Sequence, residues 1–102
     1  MDTQFISILR TEMEKYTGEG LNGASYLTEN MNQTVFTSTT IYTKGEIPQP
    51  FVDLFVRIIA DKIVIEEDRN DKPLVDALVQ AGIPREQIIL AYIGEKVPDL
   101  SA

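Results

Sequence analysis

The chain has 102 residues, 43% of them hydrophobic, and one core typically serves roughly 100 to 150 residues, so a single domain over residues 1–102 is expected. It contains neither cysteine nor histidine, which removes disulfides, thiolate zinc sites, cysteine nucleophiles and histidine-based catalysis together. Sixteen acidic against nine basic side chains leave a net charge of −7, whose average field repels phosphate backbones.

Asp2 or Thr3 can cap a first helix, because Phe5, Ile6, Leu9, Met13 and Tyr16 recur at spacings of three and four with charged residues between them. Thr17-Gly18-Glu19-Gly20 ends it, and a loop runs on to Gly23. A phosphate cradle should follow a strand and open a helix, whereas this glycine-rich segment follows a helix and leads into strand-like residues. Ser25–Glu29 and Thr34–Tyr42, separated by Asn30-Met31-Asn32, read as a hairpin rich in threonine and β-branched residues. Lys44–Pro50, with Gly45, Pro48 and Pro50, reads as a loop.

Phe51–Ile59 is the strongest strand. A two-residue turn at Ala60-Asp61 pairs Ile59 with Lys62, Val56 with Ile65 and Phe55 with Glu66. That register puts Val52, Leu54, Val56, Ile58, Ile63 and Ile65 on a core face, and Phe51, Asp53, Phe55, Arg57, Val64 and Glu66 on a mixed face. Asn70 or Asp71 can cap a second helix with Pro73 in its first turn and Leu74, Val75, Ala77, Leu78 and Ala81 as its apolar stripe. Gly82 suits the helix C-terminus, with Ile83 packing back onto Leu78. Pro84–Gln87 is a short turn into a strand over Ile88–Tyr92, and the tail after Gly94, with Pro98 and Ser101, is expected to be loosely held.

The fold class expected is α+β: an N-terminal helix, a four-stranded, mostly antiparallel meander, a second helix and a short C-terminal strand, both helices covering one face. No stretch approaches the roughly 20 apolar residues of a membrane span, and Asp2, Arg10 and Glu12 do not lay out a signal peptide, so a cytoplasmic protein without membrane contact is expected.

Chemistry has few places to sit. The acidic run Glu66, Glu67, Asp68 and Asp71 starts like a calcium loop, but Pro73 stands where the sharp turn needs glycine and Val79 where a glutamate should close it. No lysine has an acidic residue two positions before it, so the commonest magnesium-nuclease arrangement is missing. A carboxylate hydrolase built on Asp53, Glu66 or Asp68 is the weakest of the functional readings. No cofactor or metal is implied. The mixed face offers more, since Phe55 between Asp53 and Arg57 has the pattern of an aromatic anchor with charged flanks, and Phe51, Arg57 and Val64 extend it. Glu66, Glu67 and Asp68 are expected at its rim, where they can steer a basic partner.

The run from Phe51-Val-Asp-Leu through Asp61-Lys-Ile-Val-Ile-Glu-Glu-Asp, and then Lys72-Pro-Leu-Val-Asp-Ala-Leu-Val-Gln-Ala-Gly-Ile-Pro-Arg-Glu-Gln-Ile-Ile-Leu-Ala-Tyr, closely resembles the XisI family, the fdxN element excision controlling factors of cyanobacteria. About half the chain matches strongly, and the N-terminal half matches in layout. The resemblance implies an accessory, non-enzymatic role in site-specific removal of a DNA element, beside a recombinase and a nuclease-like companion of the XisH type. It carries no catalytic residues over. The acidic charge fits a protein that binds such a companion, with self-association also open, better than an excision factor acting directly on DNA.

Overall fold

The periodic apolar residues at the N-terminus form a helix as expected. In the computed structural model, which describes residues 1–98, Asp2 caps α1 (Thr3–Glu14) by accepting a hydrogen bond from the Gln4 amide at 2.8 Å. Ile6, Leu9 and Met13 are its buried stripe.

Six strands follow rather than five: β1 (Gly18–Glu19), β2 (Gly23–Glu29), β3 (Val35–Lys44), β4 (Ile47–Ile59), β5 (Lys62–Asp68) and β6 (Ile88–Leu90). They form one sheet in the order β1-β2-β3-β4-β5-β6, antiparallel throughout except for β5 with β6. The parallel pair needs a crossover, and α2 (Leu74–Gln80) supplies it. β1 lies within the expected loop, with Gly18 at φ +128° paired to Ser25.

The segment expected as a loop over Lys44–Pro50 is strand to within two residues. Gly45 turns the chain at φ +68°, and β4 begins at Ile47. Pro48 and Pro50 fit because they face Thr43 and Ile41 across β3, and β5 pairs with β4 no further along than Leu54. The Thr43 amide bonds the Asn22 carbonyl on the other side, so these are positions where β3 asks no amide of β4.

Ala60 and Asp61 both take positive φ, 50° and 60°, as a two-residue turn of the primed kind requires. The expected register holds from Ile59 opposite Lys62 to Val56 opposite Ile65, and then slips. Phe55 pairs with Glu67 and Leu54 with Asp68, so Glu66 is an extra residue in β5. On the other side of β4, Thr39 faces Val52 and Ser38 faces Leu54, which leaves Asp53 as a second extra residue. Two bulges thus adjoin in the middle of the sheet.

Both helices pack on one face. Ile6, Leu9 and Met13 from α1 and Leu74 and Leu78 from α2 join Phe36, Leu54, Val56, Ile63, Ile65, Ile88 and Leu90 in one buried cluster. Burying each large apolar side chain contributes about 1.5–3 kcal/mol. Val52, expected in this core, is 37% exposed, because the bulge at Asp53 turns everything before it over.

The second helix ends as expected. Gly82 takes φ +109°, its amide bonds the Val79 carbonyl, and the Ile83 amide reaches back to Leu78. Its start differs: neither Asn70 nor Asp71 caps it, and Pro73 is the residue before the first turn. Asp68 takes the capping role from six residues upstream, accepting from the Leu74 amide at 2.8 Å. The final strand is shorter than the apolar run, since Ala91–Ile93 winds into a 3₁₀ turn. Beyond Gly94 the chain is held at Glu95, which bonds both backbone groups of Leu90, and Ser101 lies outside the described residues.

Candidate interaction surface

The face of the sheet opposite the two helices carries the candidate site. Register places Tyr26, Thr39 and Val52 in one row across it, and Thr28, Thr37, Phe55 and Glu67 in the next. Thr28 and Thr37 hydroxyls join across the strands at 2.5 Å. Tyr26 is 54% exposed, while Phe55 and Thr37 are half-buried. A shallow depression of ≈ 510 Å³ is lined by Val52, Phe55, Arg57, Glu66, Glu67 and Arg69.

Two ion pairs frame this depression. Arg57 Nε donates to Glu66 Oε2 at 2.6 Å, and Nη2 lies 2.5 Å from the same oxygen as an ion pair. The bulge makes this possible, because the extra residue Glu66 stands beside Arg57 instead of opposite Phe55. Arg69 meets Glu67 at 3.4 Å and hangs 5.9 Å from the centre of the Phe51 ring. Both pairs are partly exposed, so they orient side chains more than they stabilise the fold.

Of the expected interface residues, Phe55, Arg57, Glu66 and Glu67 do come together here. Four others do not. Phe51 pairs with Thr40, on the helix-side face, where its ring meets Tyr42 edge-on at 6.0 Å. Val64 is fully buried, in register between Arg57 and Ile89. Asp68 is turned to structural work, since Oδ1 accepts from the amide and side chain of Asn70 and Oδ2 from the Leu74 amide. Asp53 is only 6% exposed, and its Oδ1 has no hydrogen-bond partner among the described residues. Sequence reasoning missed Val52 and Arg69, because the bulge at Asp53 that exposes Val52 leaves no mark in the alternation of Val52-Asp53-Leu54.

Elsewhere the electrostatics are local. The Arg10 guanidinium, bonded to Glu29 at 2.8 and 2.9 Å, holds that carboxyl below its ordinary value. Burial, reinforced by Asp68, Glu12 and Asp76, pushes the Tyr16 phenol up to about 12, and its hydroxyl donates to the Lys72 carbonyl at 2.8 Å. Among the described residues, no group of three or more acidic side chains gathers closely enough to hold a metal ion, and no helix is long and apolar enough to cross a membrane.

The architecture has close counterparts among solved structures. The fdxN element excision controlling factor XisI from Anabaena variabilis superposes with a TM-score of 0.69 at 22% identity, over 88% of this chain and 90% of that one. A XisI-like protein from the same organism gives a TM-score of 0.67 at 18% identity, over 86% of this chain and 80% of that one. At these identities the likeness establishes the fold. No curated protein sequence matches the chain. The family model for the XisI protein matches residues 4–101, nearly the whole length, and the chain therefore belongs to the XisI family.

Proposed function

We propose that this chain is a non-enzymatic regulatory protein of DNA-element excision, acting by capturing a nuclease-like protein of the XisH type across the open face of its sheet. The observation that carries the reading is the half-buried Phe55 on that helix-free face, with exposed Val52 beside it and the Arg57–Glu66 and Arg69–Glu67 pairs around it. An aromatic anchor inside a charged ring is how binding energy is commonly concentrated at protein interfaces. Family membership supports the excision-control part, since one relative of the same fold bears that name. The −7 charge supports a protein over a nucleic acid as the thing captured.

Fluorescence anisotropy with duplex DNA at low salt separates this reading from direct action on DNA. The expected outcome is weak binding by the isolated chain. Tight binding that weakens steeply with salt would establish the second reading, a factor acting on the element itself.

A further inference from the structure

The three-residue strand β6 stands at the outer edge of the sheet, where an unpaired strand is a template for adding another. Alternate residues of a strand turn their backbone groups to the same side, so Ile88 and Leu90 face outward and Ile89 faces β5. All of those outward groups are taken, and two residues take them. The Ile88 amide bonds the Arg85 carbonyl, and the Ile88 carbonyl accepts from Arg85 Nη1 at 2.7 Å. The Leu90 amide donates to Glu95 Oε1 at 2.7 Å, and the Leu90 carbonyl accepts from the Glu95 amide at 3.1 Å. Arg85 Nη2 then meets Glu95 Oε2 at 2.9 Å, closing the two halves into one ring.

The geometry points to Arg85 and Glu95 acting together as a substitute strand that shuts the β6 edge against pairing with the β6 edge of a second copy. An ordinary helix-to-strand connection would leave the outward groups to water. Here one residue before the strand and one after it supply a donor, two acceptors and a backbone amide in the places where a neighbouring strand would. β6 is only three residues long, so two residues suffice. The clamp is also light: its two side chains are 46% and 39% exposed, and exposed ion pairs contribute little by themselves. Its effect is therefore on which contacts the edge can make, more than on the stability of the fold. This inference stands apart from the identity of any excision partner.

The test uses the full chain and three variants, Glu95→Ala, Arg85→Ala and Glu95→Gln, read by amide hydrogen exchange at Leu90 and by sedimentation over a concentration series. Glu95→Ala should speed Leu90 exchange roughly tenfold or more and add an association step that the parent lacks at the same concentration. Glu95→Gln keeps an oxygen that accepts from Leu90 and should stay near the parent in both. Arg85→Ala frees the Ile88 carbonyl and unpairs Glu95 Oε2 while leaving the Leu90 amide its acceptor, should associate to an intermediate degree, and serves as the probe if Glu95→Ala does not fold. Unchanged exchange in Glu95→Ala overturns the inference, because the carboxylate would not be what holds the amide. Faster exchange with no added association overturns it too, because the edge would then be open and still not pair.

Discussion

Phe51 and Phe55 lie four residues apart on one strand, yet they point to opposite faces of the sheet, because Asp53 adds a residue between them that β3 does not match. Strict alternation would have put both rings on the same side. Asp53 sits at this bulge with one carboxylate oxygen buried and without a hydrogen-bond partner among the described residues. A charge buried without a partner is costly, so Asp53→Asn should melt at the parent temperature or above it. Calorimetric unfolding measures this, and a loss of more than about 1 kcal/mol would show that the charge itself maintains the strand.

Most of the fold was legible because the signals were local. The 3.6 period of α1, the Gly82-Ile83-Pro84 stop of α2 and the two-residue turn at Ala60-Asp61 each follow from a few adjacent residues. The two bulges were not legible, since Val52-Asp53-Leu54 alternates perfectly as text and only the spacing of neighbouring strands shows which residue is surplus. The candidate site suffered for the same reason. Arg57 lies within the register that the turn sets, and Phe55 keeps its face although its partner shifts from Glu66 to Glu67, whereas Phe51 lies beyond the bulge at Asp53 and changed face. The prolines at 48 and 50 misled because their tolerance depends on an edge that sequence does not reveal.

Asp68 accepts three hydrogen bonds, two from Asn70 in the connection and one from the Leu74 amide at the start of α2. Asp68→Ala should therefore cost about 1–2 kcal/mol, the usual range for losing a cap. Chemical denaturation measures the loss. A variant as stable as the parent would show that the packing of Leu74 and Leu78 holds the start of the helix without Asp68.

Stability should fall at both ends of the pH scale. Glu29 and Glu95 have folded-state pKa values below the ordinary 4.5, the first through Arg10 and the second through the Leu90 amide and then Arg85. Their small, solvent-screened contribution is complete above the unfolded value and is lost as pH drops through the depressed ones, so stability starts to decline below about pH 4.5. Tyr16 runs the other way, raised from 10.0 to about 12 chiefly by burial. Its contribution is complete below pH 10 and disappears as pH rises toward 12. Melting temperatures across pH check both limbs, and Tyr16→Phe should flatten the alkaline one. An alkaline limb unchanged in Tyr16→Phe would assign it to other groups.

The account turns on capture of a protein across the open face, and titration calorimetry of an XisH-type partner against three forms of the chain measures that most directly. Phe55→Ser should bind roughly 30-fold more weakly or worse, the loss typical of an interface anchor, while Val79→Ser, altered at an exposed position of α2 on the opposite face, should stay within about threefold of the parent. Equal binding by Phe55→Ser and the parent, or an equal loss in both variants, would contradict the account.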